Sequence, residues 1–307
     1  MNLTKTYGSF TALDSLNLKI SGSKCVGFLG PNGAGKTTTL KIFTDMIRAS
    51  KGKALINGGS VHENKKEALS HCGSLIETPE IYPSFTPREA LMMIADIRGI
   101  SRSERKKQVE KALSEVKMDE WIDKKVGKFS KGMKQRVDIA SALLSEPDII
   151  ILDEPTTGLD PRGAAEVREI VKSLKRKDRL IFMSSHLLPE VSDVCDEVAM
   201  IDHGKLLVYD TLENVTSRFS GDGSSGLVEV GFARAIEDTK MISSLEGVTS
   251  VERMDSRNLR IRFSGGLENQ ERLLENLAGM KLGMISFRAS SASALEDSYL
   301  NLIKDTL

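Results

Sequence analysis

Gly30-Pro31-Asn32-Gly33-Ala34-Gly35-Lys36-Thr37-Thr38 decides the fold of this 307-residue chain. The run fits G-x-x-x-x-G-K-[ST], the phosphate-binding P-loop. Gly30, Gly33 and Gly35 let several backbone N–H groups converge on phosphate oxygens with no side chain in the way. A helix starting at the end of the loop adds the positive end of its dipole. Lys36 brings a cation to the β- and γ-phosphates, and the Thr37 hydroxyl suits Mg²⁺. The flanks agree: Ser23–Leu29 reads as a short apolar strand, and Thr38–Phe43 reads as helix. The spacing is not the G-x-G-x-x-G of dinucleotide folds, which argues against a nicotinamide cofactor.

Outward from this loop, strand and helix signals alternate. Ala12–Ile20, Lys53–Gly59 and Cys72–Glu77 read as strands. Thr86-Pro87-Arg88-Glu89 combines an N-cap, a proline at the first helical position and a glutamate at the third, so a helix is expected to run on to Gly99. Ser103–Val116 reads as a second, highly charged helix whose Arg, Lys and Glu side chains form a solvated face. Phe129–Arg136 opens a helix through Leu144. Pro147–Glu154 contains a continuous apolar run, as expected of a strand buried on both faces. Asp160-Pro161 starts another helix, and Arg179–Ser184 and Glu197–Ile201 are further strands. The body is therefore α/β with a mainly parallel sheet. At its centre, Asp153-Glu154 ends an apolar strand and supplies what nucleotide hydrolysis needs beyond phosphate binding: a carboxylate for Mg²⁺ and a group to orient water.

Ser220–Gly226 has the composition of a flexible linker. Beyond it, strand 227–232, helix 235–245, strand 248–254, strand 259–263, helix 268–278 and strand 283–289 follow the order βαββαβ of a small ferredoxin-like unit, with a last helix at 293–304. This unit carries no catalytic cluster. The expected division is thus 1–219 and 227–307, with a helical subdomain at about 86–127 in the first.

Lys+Arg and Asp+Glu both number 43, so no net charge draws the chain to nucleic acid or anionic lipid. The three cysteines, Cys25, Cys72 and Cys195, are scattered without a C-x-x-C, which fits a reducing cytosol. The first ten residues hold no apolar core of a signal peptide, and no apolar stretch approaches the length of about 18 residues expected of a span. Any membrane role is expected to pass through a partner.

These motifs, in this order, resemble the nucleotide-binding subunit of an ABC (ATP-binding cassette) transporter, over Leu3 to about Leu212. The resemblance implies a P-loop ATPase fold with a helical subdomain. It matches Tyr7 to the aromatic residue that stacks on adenine, Gly30–Thr38 to Walker A, and Ile149–Asp153 to Walker B. Glu154 falls at the catalytic-base position, Gly158-Leu159-Asp160 at the D-loop, and His186 in Ser184-Ser185-His186 at the switch histidine. Ser130-Lys131-Gly132-Met133 matches the signature that meets the γ-phosphate held by the opposite subunit. The implied ligands are ATP and Mg²⁺, with Thr37, Asp153 and Glu77 as metal ligands. The implied partners are a second copy of the chain, head to tail, and a separate ABC-2-type membrane permease, with the chain cytoplasmic on the inner membrane face.

Two departures stand out. Lys131 replaces the first signature glycine, and Glu77 stands where a glutamine is expected. Both resemble bacitracin-type and other drug or bacteriocin-resistance exporters. Only two residues precede Leu3, so the sheet edge is expected to be one strand short. The rival class, a soluble ABC ATPase acting on DNA or ribosomes, usually shows paired cassettes, a coiled-coil insertion or zinc cysteines, and this sequence has none. A regulator without turnover is disfavoured by intact Glu154 and His186.

Overall fold

The computed structural model describes residues 1–77, 81–175, 178–219, 225–265 and 267–289. The chain divides into two compact units, Met1–Asp210 and Thr211–Leu307.

The first unit opens with an antiparallel pair, β1 (Leu3–Tyr7) and β2 (Phe10–Leu16), followed by β3 (Cys25–Leu29) and α1 (Lys36–Phe43). A short hairpin, β4 (Leu55–Ile56) and β5 (Gly59–Ser60), precedes α2 (Lys65–Ala68) and β6 (Cys72–Leu75). Three helices follow: α3 (Pro87–Ile97), α4 (Arg102–Glu115) and α5 (Lys131–Leu143). Then come β7 (Ile149–Leu152), α6 (Pro161–Lys175), β8 (Leu180–Ser185), α7 (Leu188–Val194), β9 (Glu197–Asp202) and β10 (Lys205–Thr211). The expected capping box at α3 forms in both directions. Thr86 accepts from the Glu89 N–H at 3.2 Å, and Glu89 accepts from the Thr86 N–H at 2.7 Å.

Six strands make the main sheet, in the order β10-β9-β3-β8-β7-β6. The pairs β3–β8, β3–β9, β7–β8 and β6–β7 are parallel. Every residue of β3 is buried, as a central parallel strand covered on both faces requires. The core joins Val26 and Phe28 of β3 to Leu40 of α1, Ile151 of β7 and Phe182 of β8. Because β3, β8 and β7 are adjacent and run the same way, the residues that follow them meet along one edge, where ligands of open α/β sheets bind. On the outer strand β6, a Cβ added to Gly73 would lie 1.9 Å from the Ala142 carbonyl oxygen, so the end of α5 rests directly on the strand backbone.

At the chain's start, Met1 and Lys53 exchange two backbone hydrogen bonds of 3.1 and 3.2 Å, and Thr4 bridges to Lys51. Beside it lies an apolar cleft of about 590 Å³ lined by Leu16, Leu18, Ile20, Ala54, Ile56 and Phe182.

In the second unit, α8 (Leu212–Phe219) precedes β11 (Ser225–Phe232), α9 (Lys240–Ser243), β12 (Val248–Arg253), β13 (Asn258–Ser264), α10 (Leu267–Gly279) and β14 (Met284–Ala289). The sheet order β12-β13-β11-β14, with its printed pairs antiparallel, is that of the split βαβ arrangement. Val228, Val230, Phe232, Leu259, Ile261 and Phe263 form its own core with Leu273 and Leu277. The helix expected over 235–245 is reduced to the single turn of α9. Ile236 N–H instead bonds the Ser256 carbonyl at 2.9 Å, and the Asp238 carboxylate takes the Lys240 N–H at 2.8 Å, which starts the turn late. Most of the Gly/Ser linker and the helix expected at 293–304 lie outside the described residues. Among the described residues, no helix is long and apolar enough to cross a membrane.

Candidate functional site

The loop after β3 runs from Gly30 into α1. Gly35, at φ 104°, turns the chain into the helix through the left-handed region, which costs glycine little and a residue with a Cβ much more. Lys36 is 5% exposed. Its Nζ donates to the carbonyls of Gly30 (2.8 Å) and Pro31 (3.1 Å) and lies 3.4 Å from Glu154 Oε1. Thr37 and Thr38 are half-buried at the first turn of α1.

The exit of β7 supplies the acids. Asp153 Oδ1 accepts from Ser184 Oγ at 2.6 Å, and the Glu154 backbone N–H donates to the same Oγ at 2.9 Å. Glu154 has φ 43°, a left-handed conformation unfavourable for a side-chain-bearing residue. Its Oε2 accepts from Thr157 Oγ1 at 2.9 Å and lies 3.1 Å from His186 Nδ1. Burial raises the Glu154 pKa, but the Thr157 hydroxyl and the charges of Lys36 and His186 outweigh it, and the carboxyl sits below the ordinary glutamate value. The exit of β8 supplies His186, beside Ser185. Ser185 Oγ donates to Glu190 Oε2 at 3.0 Å, and Thr156 Oγ1 donates to Glu190 Oε1 at 2.5 Å.

Lys36, Asp153, Glu154 and His186, expected from sequence, therefore meet on one edge. Tyr7 ends β1 and is 49% exposed, with Lys5 Nζ over its ring at 4.8 Å from the centroid. Asp160 Oδ1 accepts the Gly163 N–H at 3.3 Å at the start of α6. Ser130 caps α5 by accepting the Met133 N–H at 3.2 Å, with Lys131 exposed and Gly132 buried. Among the described residues, no hydrogen bond or ion pair joins Ser130, Lys131, Gly132 or Met133 to Lys36, Glu154 or His186. Glu77, at φ 59°, gives its carboxylate to Lys41 of α1 at 2.5 Å.

Ser184, Thr157, Glu190 and Lys41 carry site contacts that the sequence reading left unassigned. Ser184 stood inside the Ser-Ser-His run, but its partners lie 30 and 31 residues away. One buried acid stands apart on α5. Asp138 is 2% exposed, its Oδ1 has no hydrogen-bond partner among the described residues, and burial pushes its pKa up to about 7 against the opposing charge of Lys134.

The donor set fits Mg²⁺ with a nucleotide phosphate. Thr37 offers a hydroxyl at a helix start, Asp153 offers a hard carboxylate already oriented by Ser184, and the loop amides and Lys36 suit anionic oxygens.

The family model for ABC transporters matches residues 13–157. The bacitracin transport ATP-binding protein BcrA of Bacillus licheniformis is 45% identical over 207 residues, 67% of each chain. The linearmycin resistance ATP-binding protein LnrL of Bacillus subtilis is 27% identical across 100% of this chain and 98% of its own, so that alignment includes the second unit. A solved structure of the ATP-binding subunit of an ABC transporter superposes with TM-score 0.62 at 29% identity, covering 71% of this chain and 91% of that one. With the P-loop, the acid pair and the histidine gathered on one sheet edge, the chain belongs to the ABC transporter family and is an ATPase of that family.

Proposed function

We propose that this chain binds Mg-ATP on the edge formed by β3, β7 and β8, hydrolyses it, and drives a separate ABC-2-type membrane permease from the cytoplasmic face. The observation that carries this reading is the convergence of Lys36, Asp153, Glu154 and His186 on that edge. Tyr7 stacks on adenine, and Gly30–Thr38 cradles the phosphates through its amides. Thr37 and Asp153 hold Mg²⁺, which neutralises charge on the phosphate oxygens when bound. Glu77 stands at the loop where a further oxygen ligand is expected, with Lys41 competing for its carboxylate. Lys36 steadies the γ-phosphoryl oxygens, Glu154 orients and deprotonates the attacking water, and His186 fixes the Glu154 carboxylate and senses the γ-phosphate.

Ser130, Lys131, Gly132 and Met133 serve the nucleotide of a second copy, head to tail, and Asp160 lies at that interface. The helical stretch 86–127 and the Glu77 loop face the permease. Relatives named for bacitracin transport and linearmycin resistance support export of a toxic compound as the task. The test is steady-state ATPase activity of the purified protein with Mg²⁺ and of Glu154→Gln. General-base work is worth roughly 10²–10⁴ in rate. The variant should bind ATP, turn over at least about a hundredfold more slowly and accumulate as an ATP-bound dimer by size exclusion. A fall of less than about tenfold would show that Glu154 is not the base.

A further inference from the structure

We infer that Ser184 is a positioning residue for hydrolysis, holding both acids of the site with one hydroxyl; this rests on the roles proposed for Asp153 and Glu154. Leu152 pairs with Met183 across β7 and β8, so Ser184 lies level with Asp153 just as β7 ends. Its Oγ donates to Asp153 Oδ1 at 2.6 Å and accepts the Glu154 N–H at 2.9 Å. A hydroxyl has one proton and two lone pairs, so both bonds form together. The side chain is 0% exposed, so water has no ready route to replace either bond.

Each bond has a distinct task. The first fixes the rotation of the Asp153 carboxylate and leaves Oδ2 as the oxygen to face the metal, the way an outer partner orients a ligating carboxylate. The second ties down the backbone of Glu154 at φ 43°. That conformation turns Glu154 towards Lys36 and His186, although adjacent residues of an extended strand point to opposite faces. Ser185, one residue on, faces the other way and bonds Glu190. The end of β8 thus anchors the β7 exit through Ser184 on one side and through Glu190 to Thr156 on the other.

Ser184→Ala removes one oxygen and leaves the strand intact. Its kcat should fall at least tenfold, about 1.4 kcal/mol of barrier, while KM for ATP stays within twofold. Ser184→Thr, which keeps the hydroxyl on a β-branched residue suited to a strand, should return kcat to within threefold. A readout independent of turnover uses the Glu154→Gln background. There, calorimetry of ATP with Mg²⁺ and with EDTA should show that Ser184→Ala cuts the Mg²⁺-dependent gain in affinity at least threefold and leaves the EDTA affinity alone. Ser184→Ala within twofold of the parent, where Glu154→Gln is inactive, overturns the positioning role and spares the reading of the site. Glu154→Gln turning over at the parental rate overturns both. Equal losses with Mg²⁺ and with EDTA also overturn the inference, because Ser184 would then serve only the fold. If the threonine variant does not fold, the calorimetry of the alanine variant decides.

Discussion

Replacing Asp138 by asparagine should change how stability depends on pH, and the direction follows from its surroundings. The carboxyl is buried in α5 with Oδ1 unpartnered, and its folded pKa is about 7 against an ordinary 3.8. A raised folded pKa means that the folded state holds the proton more tightly than the unfolded chain. The stabilisation is therefore complete below about pH 4 and is lost as pH rises through about 7. Linkage makes the protonated group worth about 3 kcal/mol at pH 5 and almost nothing at pH 8. Asparagine has no such titration. The stability of Asp138→Asn relative to the parent should thus improve by about 2–3 kcal/mol between pH 5 and pH 8. Urea denaturation followed by fluorescence reads this directly, because Trp121 is the single tryptophan and packs edge-on to Phe129 at 5.7 Å, just ahead of α5. Comparing the two proteins at each pH cancels the titration of every other group. A gap between variant and parent that is the same at both pH values would refute the reasoning, since it would mean that Asp138 ionises normally and has a partner in the folded protein.

Lys36→Ala should weaken ATP binding by about ten- to hundredfold, the range for losing a charged hydrogen-bond partner; equal affinities by calorimetry would remove Lys36 from phosphate binding. Thr86→Ala, which removes the hydroxyl that accepts the Glu89 N–H and leaves the Thr86 N–H bond to Glu89 in place, should cost about 1 kcal/mol in the same urea assay, and an unchanged midpoint would show that the hydroxyl cap contributes nothing. A chain ending at Phe219 should stay folded and bind ATP with parental affinity, because Thr211–Leu307 has its own core and none of the site residues. Insolubility or lost binding would place the second unit within the ATPase core.

What the sequence made legible was what a contiguous stretch must do by itself. A phosphate cradle needs its glycines, lysine and threonine within one turn of chain, so Gly30–Thr38 could be read directly. The capping box of α3 spans three residues and could be read in the same way. Asp153, Glu154 and His186 were legible because each follows an apolar strand, and adjacent parallel strands deliver their ends to one edge. The rest depends on distance in sequence. Nothing near Ser184 announces that its hydroxyl meets the exit of β7, nor does Lys41 announce Glu77, because each pairing is made by the packing of separate elements. The helix expected at 235–245 failed for a related reason: most of that stretch is not helix, because Ile236 found a backbone partner at Ser256. Asp138 was missed because a charged residue on a helix reads as a solvated face until the neighbours that bury it are known.

The contact at Gly73 gives α5 the mechanics of a lever. The helix spans 13 residues, about 20 Å, with Ser130 capping its N-terminal end and Ala142 resting on the strand backbone at the other. With no side chain between helix and strand there is little soft material at that end to absorb a tilt. A rotation of about 5° about the contact therefore carries Ser130 through about 2 Å, the difference between a made and a broken hydrogen bond. β6 ends at Leu75 and the chain runs on through Ile76 to Glu77, so the pivot of this lever stands four residues before the acid that pairs with Lys41.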